Sequence, residues 1–282
     1  MGNLSILYVY VAFKPGTTDQ VCRQQIQDCL AAMQEWMNSN FLKLNNDKTD
    51  VILIGSRHQH SVFEMDHISL NGHDLSLSKS VRDLGVILDN RLNMNDHITS
   101  ACKSANYHLR NIAKIRRYLS ESDAVKVIHA LVSSRIDYCN AVLAGLPNSS
   151  ISRLQRVQNS AARVLARVRK NDHITPILRQ YHWLPVKKRI EYKILTLVFK
   201  ALHNMAPKYL QDLVTVKQST YSLRSSSSTV LHVPRTRTAY GDRAFLRMAP
   251  SLWNKLPDHV RNMHHLETFQ GHVKALLFAQ SY

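Results

Sequence analysis

Glycine and proline are scarce, at 8 each among 282 residues, about half the roughly 12% an average chain carries. That shortage excludes collagen-like and low-complexity chains, argues against a turn-dense all-β fold and suits long helices. Cysteine is rarer, with 4 residues and no Cys-x-x-Cys pair, which fits neither a disulfide framework nor a thiolate zinc site. Cys22, Cys29, Cys102 and Cys139 therefore read as small core residues in a reducing compartment. The opening apolar run Leu4–Phe13 is too short to span a bilayer, and no basic residue precedes it as a signal peptide requires. It reads as a buried strand. Met1-Gly2 resembles a myristoylation start, but Ile6 stands where that signal needs Ser or Thr.

Motifs for chemistry are also thin. No glycine-rich phosphate loop occurs. Histidines number 15, yet His58/His60 and His264/His265 lack partners at ligand spacing and read as solvated. Asp47, Asp50, Asp66 and Asp74 are scattered over turns and strands, and nothing marks a pair as sharing a metal.

What the sequence does have is an apolar share of 44%, enough to build a core, and a lopsided charge. Residues 1–100 carry 8 Lys+Arg against 11 Asp+Glu, a net of −3; the remainder carries 29 against 9, a net of +20. A basic excess confined to one segment points to a polyanionic partner facing that segment, whether nucleic acid or an anionic membrane surface.

The hydrophobic pattern changes near Asn95. Before it, Cys22, Ile26, Cys29, Met33 and Trp36 mark a helix ending near Asn40. Val51–Gly55 reads as a strand, Ile68 to Leu77 as a hairpin about Asn71-Gly72, and Val81–Asp89 as a further strand. After it, helices are expected over 95–118, 122–144, 151–170, 174–182, 186–205 and 266–279. Ser120 with Asp123 suggests a capping box, Pro176 and Pro207 suit first-turn positions, and Ser219–Thr229 reads as a linker. The fold class is α+β.

Two helices combine an apolar stripe with a basic one. Over 151–170, Leu154, Val157, Ala161, Val164, Leu165 and Val168 share one side, and Arg156, Arg163, Arg167 and Lys170 lie almost opposite at spacings of 7, 4 and 3. Over 95–118 the spacing repeats in Lys103, Arg110, Lys114 and Arg117, with Ala105, Leu109, Ile112 and Leu119 as the apolar stripe. Lys187-Lys188-Arg189 adds a third cluster. Such faces suit phosphate tracking. The same pattern on any one helix also describes an ordinary solvated face. Repeated charge with few aromatics implies binding that ignores base identity.

Several stretches carry a family resemblance. Trp36-Met37-x-x-Asn40-x-Leu42-Lys43-Leu44-Asn45-x-Asp47-Lys48-Thr49 resembles the segment after the catalytic strand in reverse transcriptases of LINE-type (non-LTR) retrotransposons. Leu84-Gly85-Val86-x-Leu88-Asp89 is similar to the hairpin at their palm–thumb junction. Arg135-Ile136-Asp137-Tyr138-Cys139-Asn140, Leu154-Gln155-x-Val157-Gln158-Asn159-x-Ala161-Ala162-Arg163 and His182-Trp183-Leu184-Pro185-Val186 resemble signatures of the thumb and beyond. So do Leu223-Arg224-Ser225 and Ala249-Pro250-x-Leu252-Trp253-Asn254-x-Leu256-Pro257. The resemblance runs in order from about Phe13 to near the end.

The resemblance implies a small strand-rich partial palm over 1–94, a mainly helical thumb-like bundle over 95–215, and a linker with a C-terminal extension over 216–282. Fingers, most of the palm and an endonuclease domain are expected upstream of Met1. The polymerase has a Tyr-x-Asp-Asp turn just before the segment resembling Val11-Ala12-Phe13, where this chain reads Leu7-Tyr8-Val9-Tyr10. Two-metal nucleotidyl transfer needs those carboxylates, so this chain alone is expected to be inactive, and Lys48, which matches a family lysine, reads as a surface side chain. Mg²⁺ is expected only for a complete polymerase; for this chain no cofactor is expected. The expected partner is RNA or an RNA–DNA duplex, met by Lys103, Arg110, Lys114, Arg117, Arg156, Arg163, Arg167, Lys170, Lys187, Lys188 and Arg189. No small-molecule substrate or membrane span is expected, and the apolar edge of the opening strand invites self-association. An incomplete gene model of an active enzyme, or a basic protein meeting an acidic partner or membrane, are the competing readings.

Overall fold

The computed structural model describes residues 9–12, 19–42, 45, 48–62, 67–70, 73–217 and 229–282. They form a mixed α+β molecule, mainly helical, with two small antiparallel sheets. The chain divides into two compact units, Met1–Asn93 and Met94–Tyr282.

In the first unit, α1 (Asp19–Ser39) follows the expected spacing but buries little of its apolar face. Trp36 is 50% exposed, and among the described residues of this unit only Met37 and Val86 are buried apolar side chains. A short helix, α2 (Arg57–Val62), was not signalled by periodicity. Two hairpins follow. Strand β1 (His67–Leu70) pairs with β2 (His73–Ser76), Ile68 facing Leu75; the Asn71-Gly72 turn expected between them lies outside the described residues. Strand β3 (Ser80–Asp83) pairs with β4 (Val86–Asp89).

Three expectations are corrected here. Val81–Asp89 is a hairpin, not one strand. Leu84 and Gly85 both take positive φ, 43° and 85°, the backbone of a two-residue turn that fits strand twist. Val51–Gly55 forms no strand: Val51 makes a parallel bridge to Leu77, and the Gly55 N–H donates to the Asn90 carbonyl at 3.1 Å. Of the opening strand, Val9–Ala12 form no strand and are exposed; Leu4–Tyr8 and Phe13 lie outside the described residues.

The second unit holds the main core. Helix α3 (Asn95–Ile115) buries Ala105, Leu109 and Ile112 of the stripe read from sequence, together with Ile98. A 3₁₀ turn continues it over Arg116–Tyr118, and Leu119, the stripe's fourth residue, is half-buried beyond it. The expected 122–144 helix is interrupted. Helix α4 (Glu121–Ile128), capped by Ser120 as expected, passes through a π-helical turn, His129–Ser133, into α5 (Ser134–Asp137). Cys139 then takes φ 48° and ends the run before a 3₁₀ turn, Asn140–Leu143.

Helix α6 (Asn148–Ala166) packs along α3 and is followed by α7 (Thr175–Gln180), with Pro176 in its first turn, α8 (Val186–Leu202) and the short α9 (Lys208–Gln211). Pro147, Pro185 and Pro207 each immediately precede a helix with φ between −55° and −57°. The ring fixes φ and gives up only an N–H the helix start leaves unpaired. Pro207 thus caps α9 from outside and does not enter its first turn.

The Ser219–Thr229 linker lies outside the described residues except Thr229. Beyond it, α10 (Ala239–Arg243), α11 (Phe245–Trp253), α12 (Asp258–Arg261) and α13 (Leu266–Ala279) belong to the same compact unit as α3–α9. Helices α11 and α13 pack on α8. Phe269 of α13 stacks between Phe199, 4.5 Å away, and Trp253, 5.6 Å away. The cysteine reading is corrected as well: Cys29 and Cys139 are exposed and Cys102 half-buried, not core residues.

Candidate nucleic-acid interface

Helices α3 and α6 run side by side in the same direction, tied at both ends. Near their starts Arg153 Nη2 donates to Thr99 Oγ1 at 2.6 Å. Near their ends Arg116 Nε and Nη2 donate to the Leu165 carbonyl at 3.0 and 2.7 Å, and Arg167 Nη2 donates to the Arg116 carbonyl at 2.9 Å. These contacts join residues 54, 49 and 51 apart. The basic stripes are offset by 53: Lys103 with Arg156, Arg110 with Arg163, Lys114 with Arg167, Arg117 with Lys170. The repeated 7-4-3 spacing therefore falls in register across a parallel helix pair. Both helices turn their apolar sides to the core, and Lys103, Arg110, Lys114 and Arg156 are exposed.

The stripe on α6 needs correction. The helix ends at Ala166, and Arg167 takes a left-handed conformation with φ 56°, its N–H closing on the Arg163 carbonyl. Arg167 and Lys170 lie beyond the helix, in a turn closed by Asp172, whose carboxylate accepts from the Arg169 N–H at 2.7 Å. Arg163 is half-buried and leans to the Asp172 carbonyl at 3.4 Å. Arg163 and Arg167 are thus engaged with backbone carbonyls, as is Arg156, whose Nε lies 3.4 Å from the Ser152 carbonyl of its own helix. Arg156, Arg167 and Lys170 are exposed. On α3, Lys103, Arg110 and Lys114 are exposed with no ion pair among the described residues, and Arg117 lies 4.6 Å over the ring of Tyr118. No acidic residue occurs between Asp96 and Glu121.

The third cluster is not free. Arg189 forks onto Asp137, with Nε to Oδ1 at 2.8 Å and Nη2 on Oδ2, and Lys188 pairs with Glu191 at 2.7 Å. Lys187 alone of the three is exposed. Its neighbours tie α8 to the rest of the unit, Arg189 through Asp137 52 residues away and Lys188 through Gln280 Oε1 at 3.1 Å, while the Lys188–Glu191 pair stays within α8.

Sequence reading missed Arg153 and Arg116 at the ends of this surface. It also missed that the motif residues are the unit's polar ties. Gln155 Oε1 accepts from the Val186 N–H at 2.8 Å, and Gln158 Nε2 donates to the Leu184 carbonyl at 2.8 Å, so the Leu154–Arg163 motif holds the His182–Val186 motif. Asn254 exchanges two hydrogen bonds with the Leu231 backbone, and Trp253 Nε1 donates to the Thr229 carbonyl at 2.9 Å. Buried backbone groups need such partners, which accounts for amide side chains at these positions.

At the C-terminal ends of the two helices lies an open depression of about 480 Å³ that includes Arg116, Leu165, Arg167, Ile177 and Tyr181. Its polar groups are committed: Tyr181 donates to Glu121 at 2.8 Å. Burial, then that hydrogen bond, raises the phenol above its ordinary pKa. Burial likewise pushes the Cys102 thiol up, opposed by Arg153 and Arg156 beside it. Among the described residues no three His, Cys, Asp or Glu side chains gather as a metal site, and no helix is long and apolar enough to cross a membrane. Lys48 is exposed, in a turn closed on the Asn45 carbonyl.

Comparisons with family models, curated proteins and solved structures give no match to this chain.

Proposed function

We propose that this chain is the C-terminal part of a LINE-type reverse transcriptase, with a partial palm, a helical thumb and a C-terminal extension, and that it binds RNA or an RNA–DNA duplex without sequence preference. What supports the interface is the exposed row Lys103, Arg110 and Lys114 on α3 with Arg156 in register on the parallel α6. A row of cations without acids between them matches a polyphosphate, which repeats its charge at fixed steps. What supports the family is the order of the resembling motifs along the chain.

The test is equilibrium binding of the full chain to fluorescein-labelled 20-base-pair RNA–DNA hybrids of unrelated sequence, with polyglutamate and phosphatidylserine vesicles as rival polyanions. Similar affinity for all hybrids, displaced by unlabelled nucleic acid at lower charge concentration than by polyglutamate or vesicles, supports the proposal. Preference for polyglutamate or vesicles overturns it in favour of an acidic protein or membrane partner.

A further inference from the structure

The outer face of α3 carries aromatic rings as well as charge. Tyr107 is 57% exposed and Tyr118, in the 3₁₀ turn that continues the helix, is 72% exposed. Each follows a lysine by four residues, Lys103 and Lys114, so the pair Lys-x-x-x-Tyr occurs twice with a spacing of 11. On α3, Tyr107 lies within about 60° of the cations Lys103, Arg110 and Lys114. Tyr118 follows in the 3₁₀ turn past the end of the helix, where three residues make a full turn, so it stands roughly a quarter-turn round from Lys114. The separation of the rings along the axis is about 18 Å.

Exposed tyrosines are common singly; these two are held in particular ways. Arg117 lies over one face of Tyr118, its guanidinium carbon 4.6 Å from the ring centroid. That contact occupies one face of a ring that is otherwise largely exposed. Tyr107 meets the ring of its neighbour His108 in a T-shaped contact, ring centres 5.4 Å apart at 77°, and stays more than half exposed. An open π-face beside ammonium and guanidinium groups recognises a base and its phosphate together. Duplex bases already stack on each other and offer no such face.

We infer that the α3 face binds a single-stranded stretch of RNA or DNA, with one base stacked on Tyr107, another on Tyr118, and the intervening phosphates on Arg110 and Lys114. At about 3.4 Å per stacked nucleotide, roughly five steps separate the two rings. The occupant is a single strand of any sequence, because every base has a π-face. This inference rests on the nucleic-acid reading above and narrows it to strand state.

The test compares the full-length wild type with Tyr107→Ala, Tyr118→Ala, the double variant, and the Tyr107→Phe/Tyr118→Phe variant. The probes are a fluorescein-labelled oligouridylate 20-mer and a 20-base-pair RNA duplex. Each ring lost should weaken oligouridylate binding about tenfold, with duplex affinity and the salt dependence of binding unchanged, since no charge is removed. The phenylalanine variant should bind as wild type. Oligouridylate carrying 5-iodouridine should photo-cross-link to Tyr107 and Tyr118 peptides. Equal losses on both probes, or no loss on oligouridylate while the wild type still binds both in a salt-dependent way, overturns the stacking inference alone. Absence of salt-dependent binding to either probe by the wild type overturns the nucleic-acid reading itself.

Discussion

Adjacent arginines at the end of α3 have opposite fates, and replacing each in turn separates architecture from binding. Arg116 is 8% exposed and donates from Nε and Nη2 to the Leu165 carbonyl and from Nη1 to the Leu119 carbonyl. Leu165 sits in the last turn of α6, where carbonyls lack intrahelical donors and the helix dipole favours a cation. Arg116→Met keeps much of the packing but leaves that carbonyl unpaired. Hydrogen bonds from a charged donor are worth about 1.5–3 kcal/mol each, and an unpaired buried acceptor costs about 1–3 kcal/mol. Removing the buried guanidinium also relieves its desolvation, so a net loss of about 3 kcal/mol is expected. For a unit of the size of Met94–Tyr282 that lowers the midpoint by about 6–12 °C. Arg117→Met, which removes an exposed side chain, should change stability by about 0.5 kcal/mol or less. Thermal unfolding followed by far-ultraviolet circular dichroism reads both. A midpoint for Arg116→Met equal to that for Arg117→Met would refute the tie between α3 and α6.

Three further outcomes are expected. A double-mutant cycle on Asp137→Asn and Arg189→Gln should give a coupling of about 1 kcal/mol, the range of a partly exposed forked pair; strict additivity would mean the pair does not hold α5 to α8. Tyr282 donates to the Trp183 carbonyl, and burial pushes its phenol up to about 12. A folded pKa above the ordinary value of about 10 favours the neutral form, so stability is full below pH 10 and lost between about pH 10 and 12. Tyr282→Phe should remove that part of the alkaline loss, and identical alkaline denaturation curves would contradict it. Hydrogen exchange on the full chain should be faster throughout α1 and the two hairpins than in α3, α6 and α8, because few apolar side chains are buried there; equal protection would contradict the burial argument.

Helices with a single clean period, α3, α8 and α13, were readable to within a few residues because one apolar face meets one core. Where two signals overlapped, the reading failed for identifiable reasons. Cations continue at helical spacing past Ala166, so α6 looked four residues longer; the stop is a left-handed Arg167, with no glycine to announce it. At Leu84-Gly85 the turn did have a glycine and a preceding Asp83 to announce it, whereas Cys139 breaks the 122–144 run without a proline or glycine. At the candidate interface, charge was legible but commitment was not. Arg189 finds Asp137 52 residues away and Arg167 finds the Arg116 carbonyl 51 away, distances at which no local pattern operates. Tyr107 and Tyr118 were legible in principle, since each follows a stripe lysine by one helical turn; attention to charge alone passed over them.

The exposed cations are Lys103, Arg110 and Lys114 on α3, Arg156 on α6, and Arg117 and Lys170 past the helix ends, of which Arg117 already lies over Tyr118 and Arg156 against the Ser152 carbonyl. Each phosphate neutralised contributes about −0.9 to the slope of log affinity against log salt on duplex. The decisive measurement is that slope for the full chain and for Lys103→Gln/Arg110→Gln/Lys114→Gln on one 20-base-pair duplex. Four to six engaged cations give a wild-type slope of about −4 to −5, and the triple variant should flatten it by about 2.7 with unchanged helicity. A wild-type slope near zero, or the same slope in the triple variant, would show that the α3–α6 surface does not meet phosphates.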